Sequence, residues 1–453
     1  MAALTGSWRE TIDFYVFMFF FAICALGGGT AFANVPSLLY VRPFAVLCLT
    51  AFLLTPRQID WTAIRMPALL LAALILLMIV QLVPLPPGIW TALPGRSAYS
   101  GLAEIMGVDQ PWRPLSLTPD LTMNALVSLI VPAAVIAGFA KMRQDQRQAT
   151  VILLIVLCCA SAAIGIIQFA GGKDSALYLY QRTYPGFPVG LLSNRNHQAV
   201  LLSLVFPALR VWTLMPAADR GWMRNRRWIA LALGVMIVPV VLATGSRAGT
   251  ALMVAGIAAA FLFFPDTRGE ATALTGARRY LARAALPLLA ALLIVLTFLF
   301  GRAASIERLV ALSAIDNDQR FQFAPTVLRI IRETFPAGTG FGSFDPVFRQ
   351  YEPDAILISS FFNHAHNELL ELIIMAGLPG MLVLAAFLWW WGARIVAAWR
   401  TTTPATRTMR LGVVVTGTIL LASLVDYTIR PPLIAAVFTL GCCWAAQRAY
   451  QRD

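Results

Sequence analysis

The chain has 453 residues, of which 59% are hydrophobic and only 13% charged. A soluble domain carries about 25% charged residues, so a water-soluble enzyme is excluded and an all-α polytopic membrane protein is expected, integrated as one domain over 1–453. The net charge of +13 does not point to nucleic acid, because Lys and Arg gather in short clusters between apolar runs, as orientation signals do.

A spanning helix needs roughly 20 apolar residues. The first such run follows Arg9, Glu10 and Asp13 without an A-x-A cleavage pattern, so it is expected to stay as a membrane helix rather than leave as a signal peptide. Further runs place spans near 13–33, 37–55, 66–85, 122–140, 149–170, 197–216, 228–243, 249–265, 285–301, 369–393, 411–425 and 431–447, about twelve in all. Alternate loops carry the basic clusters, among them Lys141, Arg143 and Arg147, then Arg220, Arg224, Arg226 and Arg227, then Arg268, Arg278, Arg279 and Arg283. By the positive-inside rule these loops and both termini face the cytoplasm, giving an N-in, C-in protein of the inner membrane.

The opposite loops hold the unusual features. Residues 86–121 form a Pro-rich outer loop whose Trp90 and Trp112 are expected at the membrane interface. A second outer loop ends in SNRNH, and a very short third reads TGSRA over 244–248. The longest covers 302–368, with an amphipathic stretch RFQFAPTVLRIIRETF and a Gly-rich turn from Gly338 to Ser343. A loop of that length between helices is uncommon unless it has a task. The six cysteines lie in apolar runs without C-x-x-C spacing, so neither disulfides nor a zinc site is expected.

Arginines on the outer side run against the positive-inside rule, and Arg195, Arg247, Arg302, Arg308, Arg320, Arg329, Arg332 and Arg349 all fall there, with Arg430 close by. Arg247 sits in a short turn between two apolar helices. It reads either as a snorkelling interface residue or as an anion clamp, since a guanidinium pairs bidentately with phosphate. Asp426 and Arg430, four apart at a helix end, read as a structural ion pair. Two of the three histidines, His364 and His366, stand at the mouth of the apolar run that begins near Leu369, with Glu368 and Glu371 in its first turn. Ionisable groups at such a boundary are functional candidates. An i, i+2 spacing without an H-E-x-x-H pattern does not make a metal pair, so no metal or other cofactor is expected. A single histidine beside a reacting hydroxyl suits acid/base work, and His366, followed by Asn367 to orient it, is the better placed. His197, alone at a helix start, reads as a hydrogen-bonded packing residue.

His366 and Asn367, nine residues from Glu368 to Ala376, then Gly377-Leu-Pro-Gly380 resemble the most telling pattern of the O-antigen ligase and polymerase superfamily of bacterial inner membranes. ATGSRAG looks like that family's short outer turn with an essential arginine, which puts the role on Arg247, and Arg320 fits its second arginine. SNRNHQA and SLVDYTIRPP look like stretches of members that polymerise exopolysaccharide repeats. The resemblance covers roughly residues 190–430; before that only hydropathy matches. It implies a metal-independent GT-C-like glycosyltransferase with about twelve spans and a periplasmic loop, 302–368, carrying part of the active site. The donor would be a glycan on undecaprenyl pyrophosphate, held by Arg247 and Arg320, with His366 acting on the acceptor hydroxyl. Substrate contacts would come from Arg195, Asn196, His197, His364, Asn367 and Arg430, and membrane lipids would surround the helices.

Two acceptors stay open. A polymerase extends one lipid-linked glycan with another, and a ligase moves the glycan to lipid A–core; the SNRNHQ and DYTIRPP stretches favour the first, and the H-N-x9-G-x-x-G spacing favours the second. A multi-span transporter is the reading from another class, and it lacks support because charges gather at one face rather than at midplane in two matching halves. If the basic loops set orientation, a reporter fused near Gln322 reads periplasmic and one near Arg279 cytoplasmic. The reverse pattern would remove the outer-face site altogether.

Overall fold

The computed structural model describes residues 8–32, 34–216, 219–265, 322–354, 362–400 and 403–447. The span expected at 285–301, Arg302, Arg308 and Arg320 lie outside them, as do the basic residues from Arg268 to Arg283. Every other expected span falls on a helix.

In chain order the helices are α1 (Trp8–Gly27), α2 (Leu38–Leu54) and α3 (Trp61–Leu82), then an outer unit of β1 (Pro84–Leu85), α4 (Pro87–Thr91), α5 (Ser97–Met106) and β2 (Arg113–Pro114). There follow α6 (Pro119–Ser128), α7 (Ile130–Lys141), α8 (Gln144–Gly171), α9 (Arg195–Ser203), α10 (Val205–Leu214), α11 (Arg220–Ala243) and α12 (Arg247–Leu262). The last group is α13 over 322–334, α14 (Phe344–Tyr351), α15 (Glu368–Trp399), α16 (Pro404–Ser423) and α17 (Pro432–Ala446). Among the described residues, six helical stretches are long and apolar enough to cross a membrane, and Thr11–Gly27, Leu38–Leu54, Arg247–Leu262 and Pro432–Ala446 are shorter apolar helices.

Two of the expected spans are each built from two helices. The 122–140 run splits into α6 and α7 at Leu129, and the 197–216 run splits into α9 and α10 at Leu204. In both, a proline stands three residues past the break, Pro132 and Pro207, and its ring excludes the amide that the carbonyl four residues back would take. The α9–α10 stretch is the innermost span, with 78% of its apolar window buried. Gly249 and Gly256 let α12 lie against it: a Cβ on Gly249 would stand 2.1 Å from the Ala199 Cβ, and one on Gly256 2.7 Å from the Ser203 carbonyl oxygen. Small residues at such a contact substitute close dispersion packing for the hydrophobic effect that lipid does not supply.

The end of the molecule that carries the 86–121 loop is organised by a break in α15. Gly377 has φ 54 and ψ −145 inside this 32-residue helix, so the Gly-Leu-Pro-Gly element is an interruption of one helix rather than a turn between two. The interruption removes the intrahelical partners of nearby carbonyls, and the Gly-rich turn supplies replacements. Thr339 N donates to Ile374 O at 2.9 Å and Gly340 N to Met375 O at 2.9 Å, while Leu378 N donates to Pro336 O at 2.9 Å. Gln81, buried in α3, donates to Met375 O at 3.0 Å and accepts from Phe341 N at 3.0 Å.

Arg96, fully buried, donates to Leu115 O at 2.7 Å and Gly338 O at 3.1 Å. Burial pushes its pKa down to about 10, which still leaves it charged at neutral pH. The 86–121 loop is therefore a folded unit, and its two tryptophans differ from each other. Trp90 is 2% exposed and donates to Pro114 O at 2.8 Å, whereas Trp112 is 65% exposed. The amphipathic stretch forms α13 and buries Phe323, Val327 and Ile330 against Phe344, Phe348 and Phe362.

A Cβ at Gly377 would meet Pro336 O at 2.0 Å, in a backbone region that side chains avoid at a cost of about 1–3 kcal/mol. Gly377→Ala is expected to lower the melting temperature of detergent-purified protein well below that of Gly392→Ala. The latter position lies in the same helix with nothing near its added Cβ. Equal melting temperatures would mean that the break is not required.

Candidate active site

Asn367 ends the loop and starts α15. Its Oδ1 accepts from Leu369 N at 3.0 Å and Leu370 N at 3.1 Å, and its Nδ2 donates to Leu424 O at 2.9 Å. It is a helix cap of the usual Asn kind, and not the group that orients His366.

That role falls to Asp426, in the loop between α16 and α17. His366 Nδ1 lies 3.1 Å from Asp426 Oδ1, and Asn196 Nδ2 donates to Asp426 Oδ2 at 3.0 Å. The carboxylate, 4% exposed, is thus held from the start of α9 and holds the imidazole in turn. His366 has φ 49, the one non-glycine residue with positive φ among the described residues. Backbone held in that region by its surroundings is a feature of functional sites.

Four positions away, Arg430 takes a different partner set. Its Nε donates to Glu368 Oε1 at 3.1 Å and its Nη2 to Glu368 Oε2 at 2.9 Å, a two-point clasp, and Nη2 also reaches Glu371 Oε1 at 3.0 Å. The expected Asp426–Arg430 pair is therefore corrected: each residue serves a different histidine. His364 Nδ1 lies 3.0 Å from Glu371 Oε1, whose other oxygen accepts from Ala365 N at 3.0 Å. Burial alone would lower the Arg430 pKa, but the two carboxylates outweigh it and raise it, so the cation is fixed. Each histidine thus has a carboxylate partner: Glu371, seven residues after His364 in the first turn of α15, and Asp426, which reaches His366 from another loop.

All three histidines meet at Tyr427. Its ring lies 4.3 Å from His364, 5.0 Å from His366 and 5.1 Å from His197, centroid to centroid. His197 is 1% exposed and neither ring nitrogen has a hydrogen-bond partner among the described residues, which differs from the hydrogen-bonded packing role expected of it. Arg195 is buried, stacks over Phe187 at 4.9 Å and donates to Thr244 O at 3.3 Å and Gly245 O at 3.4 Å. It thereby holds the turn that carries Arg247. Gly245 has φ 66 and Ser246 caps α12 through Gly249 N at 3.1 Å, so Arg247 stands exposed at the first turn of α12. Helix N-termini favour anions.

A cavity of ≈ 1660 Å³ opens beside this network, with His364, Glu368 and Arg430 on its wall. Of the sequence-singled residues, Asn196 and His366 meet at Asp426, His364 and Arg430 meet at Glu371, Asn367 caps α15, and Arg195 grips the turn before Arg247. Arg320 lies outside the described residues. Sequence reasoning noticed Glu368 and Glu371 but missed Tyr427, Gln81 and Arg96; no local spacing signals a tyrosine that gathers three histidines from two distant segments. Among the described residues, no group of three or more His, Cys, Asp or Glu is placed to hold a metal ion.

These features define an integral membrane protein of apolar helices with a histidine–carboxylate site at the mouth of one of them. Residues 229–385 match the family model described as O-antigen ligase, and this match supports the likeness of that segment to the O-antigen ligase and polymerase superfamily. No curated protein matches the chain. The matched segment contains Arg247, Arg320, His364, His366 and the Gly377 break, while Asp426, Tyr427 and Arg430 come after it.

Removing one member of a buried ion cluster leaves the others uncompensated, at a cost of about 3–5 kcal/mol. Arg430→Gln is expected to destabilise the purified protein by that order in thermal or denaturant unfolding. Adding Glu368→Gln and Glu371→Gln should recover most of the loss. Wild-type stability in Arg430→Gln would show that water, not Arg430, compensates the carboxylates.

Proposed function

We propose that the chain is a periplasmic-face glycosyltransferase that moves a glycan from undecaprenyl pyrophosphate to an acceptor hydroxyl, acting as a repeat-unit polymerase for O-antigen or exopolysaccharide. The observation that carries this reading is the His366–Asp426 pair at a helix mouth, beside a large cavity walled by membrane helices. The family match supports the reaction class.

In this reading Asp426 fixes Nδ1 of His366 as the proton-bearing nitrogen, so that the lone pair of the neutral ring sits on Nε2. Nε2 takes the proton of the acceptor hydroxyl as its oxygen bonds to the anomeric carbon. The anomeric carbon–oxygen bond to pyrophosphate breaks, and its electron pair leaves with the phosphate. Arg247 and Arg320 hold the charge that grows there, and Arg195 keeps the Arg247 turn in place. Asn196 and Asp426, from the SNRNHQ and DYTIRPP stretches, touch each other and the base, and these stretches are the ones that resemble exopolysaccharide polymerases. A ligase is the second reading, favoured by the intact H-N-x9-G-x-x-G pattern and by the description of the matching family.

Reconstituted with lipid-linked glycan, His366→Ala is expected to lose about 10²–10⁴-fold in transfer while keeping donor binding. Arg247→Ala is expected to lose transfer and weaken donor binding together, with Arg247→Lys little better because an ammonium lacks the bidentate fork. EDTA should leave transfer intact. Full activity in His366→Ala would sink the assignment of the base; loss restored by a divalent ion would sink the metal-free reading.

A further inference from the structure

The cavity is larger than a drug-sized pocket, which occupies about 300–1,000 Å³, and it is long. Along α15 its lining runs from Glu368 to Trp391, roughly 35 Å at 1.5 Å per residue, against about 30 Å for the hydrocarbon core of a bilayer. Its walls are apolar: Leu70 and Leu74 of α3, Leu384 and Phe387 of α15, Leu421 of α16 and Phe438 of α17. An acyl tail reaches to the middle of a bilayer, about half that thickness. A groove running the whole depth suits a longer chain.

The chemistry changes at the Glu368 end. There Arg42, Arg182, Arg349 and Arg430 meet the cavity. Arg430 is committed to Glu368 and Glu371, and Arg349 to Asp345 at 2.8 Å. Arg42 and Arg182 pair with no carboxylate among the described residues. Arg42 donates to Asn124 O at 3.3 Å, and its buried Nε has no hydrogen-bond partner there; Arg182 lies over the Phe32 ring at 5.1 Å. The described lining residues include none of Arg195, Arg247 and His366. His364 does line it, and the Tyr427 ring contacts both His364 and His366.

Building on the glycosyltransferase reading, we propose that this groove is a second lipid site, separate from the Arg247 turn. It takes the acceptor as a long-chain polyprenyl pyrophosphate-linked sugar, with its tail along α15 and its phosphates on Arg42 and Arg182. Two lipid carriers then meet across Tyr427, and both substrates of the reaction enter from the membrane. A lipid A acceptor, with short tails, would not need the depth of the groove.

Native mass spectrometry of the full chain in lipid nanodiscs, titrated with undecaprenyl pyrophosphate, tests this. Two molecules bound per wild-type chain are expected, one per Arg247→Ala chain and one per Arg42→Gln/Arg182→Gln chain. Should the double variant fail to fold, Arg182→Gln alone, at an exposed position, is expected to weaken one of the two sites about tenfold. A single pyrophosphate per wild-type chain, abolished by Arg247→Ala, would overturn the second site and leave the glycosyltransferase reading standing. Purified lipid A–core displacing the molecule that Arg247→Ala retains would overturn the choice of occupant. Failure to bind the pyrophosphate at all would sink both this inference and the proposed function.

Discussion

Backbone polar groups at membrane depth must be satisfied within the protein, and the interruption of α15 at Gly377 turns that rule into an organising contact. The carbonyls of Ile374 and Met375 take their hydrogen bonds from Thr339, Gly340 and Gln81, so the outer loop, α3 and α15 are tied at one point. Arg96 closes the same unit from the other side by donating to Leu115 and Gly338. The first turns of α15 are then rigidly placed relative to the loops around them, and His364 and His366 stand at that end. The catalytic role proposed for His366 requires geometry held by its neighbours, and the holding begins with helix repair.

The second level of holding is electrostatic. Glu368 and Glu371 lie three apart on one face of α15, so one guanidinium reaches both. Arg430 supplies it from the loop after α16, and that loop cannot shift without abandoning Glu368 and the buried Glu371. Asp426 rides on the same loop and meets His366, while Asn196 at the start of α9 steadies Asp426. Three segments far apart in sequence thus converge, and the Tyr427 ring contacts the histidines of two of them. The positive φ of His366 fits this picture: its backbone takes a left-handed turn that brings the ring to Asp426 rather than letting it follow the cap.

How much of this the amino-acid sequence displays depends on range. The helices are legible because apolar runs of near-membrane length are a strong signal, and the breaks at Leu129 and Leu204 follow from Pro132 and Pro207. The histidine mouth is legible too, since His364, His366, Glu368 and Glu371 fall within one short stretch. Partner choice is not. Asp426 and Arg430 sit four apart and read as a pair, yet the intervening chain is a loop, so helical spacing does not apply to them. Gln81 and Arg96 look like ordinary polar residues of a span end and a loop, and only the glycine turn arriving from 338–342 gives them a task. Trp90 looks like an interface residue by type, but Pro114 of β2 accepts from its indole and Arg113 lies over its ring, so tertiary packing overrides that preference.

The two histidine–carboxylate pairs are alike in chemistry and differ in outlook. His364 is tied through Glu371 to the Arg430 cluster and faces the long groove; His366 is tied through Asp426 to Asn196, and Asn196 adjoins Arg195, which grips the Arg247 turn. One pair therefore belongs to the side of the long groove and the other to the side of the short arginine turn. A transferase joining two membrane-borne substrates needs such a division, because each headgroup must be anchored before the hydroxyl of one meets the anomeric carbon of the other. Tyr427, in contact with both rings, fixes the separation between the two sides. Its neighbours Asp426 and Arg430 then set the orientation of each histidine independently, which lets a single loop serve both halves of the site.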